Sequence, residues 1–216
     1  FRAGQLGKKV VCINAWLNRD GKPAFGGTCL NAGCIPSKAL LESSEMLHKA
    51  QHELTLHGIT TGKVAFDLAA MQARKNKISS GLTGGIGALF KANGVTGIEG
   101  WARLLGDGKV EVTPHKGDKQ TLEAEHIIIA TGSEPVQLKI APHDGEFIVD
   151  SWDALDFTAV PKRLGIIGAG VIGVELGSVW SRLGAETVLL EAAESFLPMV
   201  DAAISKEALR HYGKQG

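Results

Sequence analysis

The pattern of apolar and polar positions predicts alternating strands and helices along the chain. Short apolar runs bounded by glycine or polar residues predict a buried strand at 9–13 and further strands at 163–167 and 187–190. Alternating positions predict a small antiparallel meander at 95–105, 109–113 and 122–129. Apolar residues at helical spacing predict helices at 1–6, 37–51, 66–90 and 201–212. This order of elements predicts an α/β fold.

The predicted helix 66–90 contains three glycines near its end, Gly84, Gly85 and Gly87. A glycine inside a helix costs about 1 kcal/mol relative to alanine, so it usually has a packing reason. We interpret these glycines as positions where a neighbouring element or a cofactor packs closely, and not as a break in the helix.

A strand, a glycine-rich turn and a helix follow one another at 163–177. Gly168, Gly170 and Gly173 have the G-x-G-x-x-G spacing, which permits a tight turn and a close approach of pyrophosphate to a helix N-terminus. The next strand ends at Glu191, 18 residues after Gly173. A carboxylate there accepts hydrogen bonds from the ribose hydroxyls of NAD and repels the extra phosphate of NADP. The pattern predicts NAD, with a glycine-rich turn in an unrelated βαβ unit as the alternative. The predicted NAD-binding residues are Gly168, Gly170, Val171, Ile172, Gly173, Glu175 and Glu191.

Cys29 and Cys34 are five residues apart in a glycine-rich segment. On one regular helix their Cα atoms would be roughly 8–9 Å apart, beyond the roughly 7 Å limit for a disulfide. If they pair, a helix must begin near Cys34, with Cys29 folded back over its first turn, and Gly33 and Pro36 suit that geometry. A helix N-terminus stabilises a thiolate, and Lys38 adds positive charge one turn later. The alternatives are a structural disulfide or two inert buried thiols.

Composition and charge narrow the possible functions. Lys+Arg and Asp+Glu both number 23, so the charge does not indicate nucleic acid or an anionic membrane as a partner. No apolar run approaches the roughly 18 residues of a membrane span. Three cysteines fit a reducing compartment with one catalytic pair, and Cys12 is expected to be a small buried residue. His48, His52 and His57 lack a matching acid or cysteine cluster, so we predict a solvated helix face and no metal site.

The sequence GGTCLNAGCIPSKALL at 26–41 closely resembles the redox-disulfide segment of the flavoprotein disulfide reductases. Its Ile-Pro-Ser-Lys stretch resembles the lipoamide dehydrogenase branch. The resemblance implies a Rossmann-like fold with two dinucleotide-binding domains, one for FAD and one for NAD. It implies that Cys29 and Cys34 form the redox disulfide, with Cys34 facing the flavin and Cys29 exchanging with a dithiol substrate. It also implies an ion pair between Lys38 and Glu175 beside the flavin, with a surface carboxylate that caps the helix start as the alternative for Glu175.

The resemblance implies further FAD contacts. Residues 126–130 are predicted to form a buried strand, and the Thr-Gly that follows resembles the turn that closes the FAD site. Asn14 stands where the family has an acidic residue that binds the adenosine ribose, and an amide makes such a bond without charge assistance. Ala102 replaces a glycine whose backbone approaches the adenine. The implied FAD-binding residues are Asn14, Gly27, Thr28, Lys38, Ala102, Thr131, Gly132 and Ser133.

The resemblance covers the whole chain but only part of the family's length. It implies an incomplete FAD domain at about 1–150, without its first strand and glycine-rich turn, and the start of an NAD domain at 151–216. The C-terminal dimerisation domain is expected to be absent. Because the chain starts at Phe1 without methionine, we interpret it as a fragment. The fragment is expected to be inactive, since none of its seven histidines matches the family's catalytic His-Glu pair.

The full enzyme is expected to oxidise dihydrolipoamide on a lipoyl domain and to pass the electrons through FAD to NAD. The resemblance implies a homodimer in a 2-oxo acid dehydrogenase complex, in the bacterial cytoplasm or the mitochondrial matrix, with a role in cell redox homeostasis. Mercuric and glutathione reductases share the cysteine spacing, but Glu191 and the Ile-Pro-Ser-Lys stretch argue against glutathione reductase. A non-catalytic structural role in the complex is the other alternative.

Overall fold

The computed structural model describes residues 1–216, which divide into two units. The first unit contains Phe1–Ile35 and Asn76–Glu134, and the second contains Pro36–Lys75 and Pro135–Gly216. None of the helices combines the length and apolar content that a membrane crossing requires.

The first unit is built on a four-stranded mixed sheet. Its strands, in spatial order, are β1 (Val10–Asn14), β2 (Val95–Gly106), β3 (Lys109–Pro114) and β4 (Gln120–Glu123). β1 and β2 are parallel, whereas β2, β3 and β4 form an antiparallel meander. Asp107 and Gly108 join β2 to β3 with φ angles of 48° and 71°. Two successive positive φ angles are typical of the tight hairpin turn that Asp-Gly favours. Helices α1 (Arg2–Gln5) and α2 (Gly27–Ala32) complete the part of this unit that lies before Cys34.

The second unit contains a parallel βαβ element. Strands β5 (Arg163–Ile167) and β6 (Glu186–Leu190) pair in parallel, and helix α6 (Val171–Arg182) connects them. Two long helices have residues in both units, and the remaining helical segments lie in the second unit. The long helices are α3 (Cys34–His52) and α4 (Leu68–Ala92); the others are a 3-10 turn at Leu54–His57, α5 (Ser151–Ala154) and α7 (Ala202–Gln215).

The core of the second unit packs α3 against α6. Trp180 of α6 is fully buried, and its indole N–H donates a hydrogen bond to the carbonyl of Ala154 at 3.1 Å. The ring of Phe157 lies 5.0 Å from the indole, centroid to centroid. Leu40 of α3 and Val179 of α6 are also fully buried in this cluster. Such burial stabilises each side chain by about 1.5–3 kcal/mol, so the cluster fixes the positions of nearby polar residues on both helices.

A buried ion pair joins α4 to the segment after α5 in the second unit. Lys75 is only 3% exposed, and its ammonium group pairs with Asp156 and donates to the carbonyl of Leu155 at 2.8 Å. The side chain of Gln72 donates to the carbonyls of Leu155 and Phe157. These bonds supply the partners that a buried ammonium group needs.

The positions of the predicted helices and of most predicted strands are confirmed, with shifts of one to three residues at their ends. The predicted burial of the strand at 9–13 is wrong, because β1 contains only half-buried and exposed residues. The strand predicted at 122–129 ends at Glu123, and the buried strand predicted at 126–130 is wrong. Ile128 and Ile129 are 89% and 70% exposed. The physical reason is that no strand of the sheet pairs with these residues, so their backbone groups form no ladder.

The prediction for the glycines of α4 is correct in one respect and wrong in another. The helix is continuous through Gly84, Gly85 and Gly87, as predicted. However, no protein atom lies within 4 Å of a β-carbon built on any of the three. The expected close packing of a neighbouring element is therefore wrong.

Candidate functional site

The two cysteines lie on either side of a break between helices. Cys29 is in the short helix α2, and Cys34 is the first residue of α3. A β-carbon at Gly33 would lie 3.0 Å from the carbonyl oxygen of Thr28 and 3.1 Å from the Cα atom of Cys29. A larger residue there would therefore displace the Cys29 segment. The prediction that a helix begins near Cys34, with Cys29 folded back, is confirmed.

Cys29 and Cys34 are both exposed thiols in this structure. A hydrogen bond to Cys34 raises the pKa of the Cys29 thiol, and burial and the charge of a Cys34 thiolate act in the same direction. Cys29 therefore keeps its proton when Cys34 carries a negative charge. The alternative of two buried, inert thiols is wrong. The third cysteine, Cys12, is half-buried on β1, and burial raises the pKa of its thiol.

Thr28 links the cysteine segment to the turn at 131–133 within the first unit. Its hydroxyl donates to the carbonyl oxygen of Ser133 and accepts from the amide N–H of Ser133, both at 3.2 Å. Gly132 has a φ of 82°, and a β-carbon there would lie 2.9 Å from Oγ1 of Thr28. The turn therefore requires glycine. The structure thus brings together Thr28, Gly132 and Ser133, with Thr131 adjacent in the chain.

The other residues predicted for FAD lie outside this link. Asn14 ends β1, and its side-chain amide donates to the carbonyl of Ala24 at 2.9 Å. Ala102 is an exposed residue of β2 that pairs with Val112 of β3. Gly27 is the first residue of α2, and no atom lies within 4 Å of a β-carbon built on it. The structure does not bring Asn14 or Ala102 into the hydrogen bonds between Thr28 and Ser133.

An ion pair and a hydroxyl hold the carboxylate of Glu175 in the second unit. Nζ of Lys38 lies 2.5 Å from Oε1 of Glu175, so the predicted ion pair is confirmed. The hydroxyl of Ser37 donates to Oε2 at 3.2 Å. The Lys38 side chain is 58% exposed, whereas Ser37 is buried. The alternative of a surface carboxylate that caps the helix start is wrong, because α6 has no side-chain cap. The sequence analysis missed Ser37.

Each glycine of the G-x-G-x-x-G turn has its own structural reason. Gly168 has a φ of 103° and makes the tight turn after β5. Gly170 precedes α6, whose N-terminus has no side-chain cap, and no atom lies within 4 Å of a β-carbon on Gly168 or Gly170. A β-carbon on Gly173, in contrast, would lie 2.2 Å from the carbonyl oxygen of Gly168. The turn is open where a pyrophosphate would bind and closed where the helix packs on the strand.

Glu191 follows β6 and lies against the same turn. Its Oε2 accepts a hydrogen bond from the amide of Ala169 at 2.9 Å, and its Oε1 accepts one from Ala193 at 2.8 Å. These two bonds, that from Ala193 first, lower the pKa of the carboxyl group, so Glu191 is a carboxylate at neutral pH. Val171 and Ile172, in the first turn of α6, are exposed. The arrangement offers helix amides for phosphate and a fixed anion for hydroxyl donors.

The structure also brings together three potential metal ligands that the sequence analysis did not single out. One ligand atom from each of His143, Asp150 and Asp153 lies within 4.8 Å of the others. Asp150 and Asp153 form the capping box of α5, and a ring nitrogen of His143 hydrogen-bonds to Asp153 at 2.6 Å. The spacing of the two aspartates, three residues apart before a short helix, is the signal that indicates the cap.

Comparison with known proteins gives the same family along the whole chain. The family described as pyridine nucleotide-disulphide oxidoreductase matches residues 1–216. A mitochondrial dihydrolipoyl dehydrogenase of Pisum sativum is 45% identical over 216 residues, which are all of this chain and 42% of that protein. A dihydrolipoyl dehydrogenase of Cupriavidus necator is 46% identical over 222 residues, covering all of this chain and 46% of that protein. The chain thus spans less than half the length of these curated relatives.

Solved structures have a similar fold. LpdA from Mycobacterium tuberculosis matches with a TM-score of 0.82 and 24% identity, over 96% of this chain and 44% of that one. The flavoprotein disulfide reductase RclA from Escherichia coli, solved as a Cu(II) complex, matches with a TM-score of 0.76 and 27% identity, over 100% of this chain and 44% of that one. The α/β fold with a Rossmann-like βαβ element is therefore confirmed. The chain belongs to the pyridine nucleotide-disulphide oxidoreductase family.

Proposed function

We propose that this chain supplies the redox dithiol and part of both nucleotide sites of a flavoprotein disulfide oxidoreductase of the dihydrolipoyl dehydrogenase type. The observation that carries the proposal is the pair of exposed thiols on either side of the break between α2 and α3, in which the Cys29 thiol is hydrogen-bonded to Cys34. Two hydrogen-bonded thiols, one of them at a helix N-terminus, are suited to reversible disulfide chemistry.

The residues present fit two dinucleotides. For NAD, the turn at Gly168 and Gly170 has space above it, the start of α6 has no side-chain cap, and Glu191 is ionised. For FAD, Gly132 has a backbone angle that favours glycine and its turn is tied to Thr28, beside the cysteines in sequence. We assign FAD contacts to Asn14, Gly27, Thr28, Lys38, Ala102, Thr131, Gly132 and Ser133, and NAD contacts to Gly168, Gly170, Val171, Ile172, Gly173, Glu175 and Glu191.

In the proposed reaction, a thiolate of the dithiol substrate attacks Sγ of Cys29 in the oxidised protein. The Cys29–Cys34 bond breaks, and Cys34 leaves as a thiolate. The second substrate thiol, as its thiolate, then attacks the substrate sulfur bound to Cys29. A cyclic disulfide is released, Cys29 takes one proton, and the other proton goes to solvent. The substrate loses two electrons and two protons, and the protein gains both electrons as one thiol and one thiolate.

The surroundings of the two sulfurs favour a thiol at Cys29 and a thiolate at Cys34. The pKa of Cys29 is raised, first by its hydrogen bond to Cys34, so Cys29 is the thiol that keeps the proton. The thiolate is assigned to Cys34, the first residue of α3, where the helix N-terminus favours an anion. When bound, the flavin takes the two electrons from the dithiol pair, and the nicotinamide takes them as hydride.

The finer assignments belong to the same proposal. We assign dihydrolipoamide on a lipoyl domain as substrate, NAD as acceptor, and a homodimer within a 2-oxo acid dehydrogenase complex as the full-length assembly. The FAD-binding part is assigned to about 1–150 and the NAD-binding part to 151–216. The compartment is the bacterial cytoplasm or the mitochondrial matrix. The names of the relatives that are 45–46% identical to this chain support the substrate.

A single-turnover experiment tests the proposal on the chain itself. The oxidised chain is mixed with dihydrolipoamide, and new protein thiols and oxidised lipoamide are counted. We expect stoichiometric exchange in the unaltered chain and in Cys12→Ser, and none in Cys29→Ser or Cys34→Ser. Exchange that survives Cys34→Ser, or that disappears in Cys12→Ser, would contradict the assignment. A parallel reaction with reduced glutathione in place of dihydrolipoamide distinguishes a reductase of the glutathione type.

A further inference from the structure

We propose that Ser37 is a positioning residue for the ion pair between Lys38 and Glu175, an inference that rests on the proposed function. Two consecutive residues of α3 hold the two oxygens of one carboxylate on α6. Lys38 binds Oε1 at 2.5 Å, and the hydroxyl of Ser37 donates to Oε2 at 3.2 Å. The hydroxyl fixes the carboxylate, and the fixed carboxylate fixes the ammonium group.

The two donors differ in their exposure to water. Ser37 is 7% exposed, whereas the Lys38 side chain is 58% exposed. An exposed ion pair between long side chains is weak and is screened by salt. The Ser37 hydroxyl is attached by one rotatable bond to a buried position of α3, so its hydrogen bond to the half-buried carboxylate restricts the geometry more. Ser37 is therefore the more rigid of the two contacts.

The packing of α3 explains why Ser37 is held in place. The buried positions of this helix include Ser37, Leu40, Ser44 and Leu47, which recur at the spacing of one helical face. Leu40 and Leu47 belong to the same core cluster as Leu176, which follows Glu175 on α6. Ser37 therefore lies at the polar end of a packed helix interface, and its hydroxyl is presented to Glu175 by the backbone of α3. Lys38 reaches the same carboxylate from the exposed edge of that face.

Removal of the hydroxyl leaves only the exposed contact. In Ser37→Ala, Oε2 of Glu175 loses its buried donor, and the carboxylate is held by an ion pair that salt weakens. The position of the Lys38 charge then becomes less defined and more dependent on ionic strength. Because a nearby positive charge favours the reduced, more negative flavin, the flavin midpoint potential of the loaded protein should move toward that of Lys38→Met.

Double-mutant cycles on the full chain test the contact without any cofactor. The variants are Ser37→Ala, Glu175→Met and their combination, measured by urea unfolding. The matched control is Ser44→Ala, which removes a fully buried hydroxyl of the same helix that donates instead to the carbonyl of Leu41. We expect the Ser37–Glu175 coupling to change the unfolding constant by about fivefold, and the Ser44–Glu175 coupling by less than about twofold. Equal couplings in the two cycles would overturn the proposal.

The flavin potential separates a positioning role from a merely structural one. In the FAD-loaded full chain, Ser37→Ala should shift the potential in the same direction as Lys38→Met, by a smaller amount that grows with salt. Ser44→Ala should leave the potential unchanged, and Ser37→Thr, which keeps the hydroxyl, should restore it. A shift in Lys38→Met with none in Ser37→Ala would overturn the role of Ser37. No shift in either variant would remove Lys38 from the flavin site and with it this inference, while the dithiol exchange of the proposed function would remain independently measurable.

Discussion

Two segments of this protein have the same sequence signature and different structures. Residues 126–133 and 163–170 each consist of an apolar run that leads into a glycine turn. In the second unit the run becomes β5, paired over five residues with β6. In the first unit the run forms no strand, and Ile128 is almost fully exposed. An apolar run therefore becomes a paired strand only where a partner strand and a covering helix are available.

The contacts of the two runs differ accordingly. Leu164 of β5 packs against the core that contains Trp180. Ile166 faces α6, and its Cγ2 atom would lie 3.1 Å from a β-carbon on Gly173. In 126–133, the backbone of the last residue, Ser133, is held by the hydroxyl of Thr28. The turn at Gly132 and Ser133 is held by hydrogen bonds to Thr28, whereas the apolar run at 126–130 forms no strand.

The largest effect is expected where helix and strand meet in the second unit. Gly173→Val places atoms against the carbonyl of Gly168, and we expect a loss of about 3 kcal/mol of unfolding free energy. Gly170→Ala is the matched control, because no atom lies within 4 Å of its β-carbon. It should leave stability nearly unchanged and weaken only NAD binding. Urea unfolding and nucleotide titration measure both, and equal destabilisation by the two changes would argue against the packing role of Gly173.

The next effect contrasts the two apolar runs directly. Leu164→Ala removes a core contact and should cost about 2 kcal/mol, whereas Ile128→Ala should cost less than about 0.5 kcal/mol because Ile128 is already exposed. Urea unfolding of the full chain measures both changes. A cost at Ile128 as large as that at Leu164 would show that residues 126–130 are packed after all.

A third change tests the role of Glu191, which directly follows the paired strand β6. Glu191→Ala removes the carboxylate at the end of β6, and NAD affinity should fall about tenfold, equivalent to about 1.4 kcal/mol. NADP affinity should not fall, because the group that repels its extra phosphate has gone. Isothermal titration of both nucleotides provides the measurement. A parallel loss of both affinities would indicate a structural effect instead of a contact with the ribose.

The fourth change concerns the first unit, where the turn of Ser133 is tied to the cysteine segment. The hydrogen bond to Cys34 and the charge of its thiolate raise the pKa of Cys29. In Cys34→Ala, that pKa should fall toward the ordinary value of a thiol, so alkylation of Cys29 should become fast at lower pH. The pH profile of iodoacetamide labelling, followed by peptide mass analysis, measures it. An unchanged profile would mean that the two thiols do not interact.

The smallest expected effect is a pH dependence in the second unit. The hydrogen bond to Asp153 raises the pKa of His143, so this contact stabilises the fold fully below the ordinary pKa of histidine, about 6.5. The contribution is lost as pH rises through the raised folded-state pKa. Asp153→Asn should flatten this part of the stability profile, as measured by urea unfolding across neutral pH. Retention of the full dependence in Asp153→Asn would assign it to another group.

Local spacing and the family resemblance were sufficient for much of the site. The roles of Gly168, Gly170 and Gly173 follow from one short motif, and the ion pair of Lys38 with Glu175 was implied by the resemblance. Ser37 could not be found this way, because a serine on the apolar face of a helix gives no signal of its partner on a distant helix. The buried Lys75 was missed for the same reason. Whether residues 126–130 form a strand depends on partner strands far away in sequence, and no local pattern specifies such partners.

The electron capacity of the FAD-loaded chain is the most direct measurement of the assigned dithiol route. Anaerobic dithionite titration should consume more reductant per flavin in the unaltered chain than in Cys34→Ala, because the Cys29–Cys34 disulfide accepts electrons in addition to the flavin. Equal consumption by the two proteins would show that these sulfurs do not take part in electron transfer.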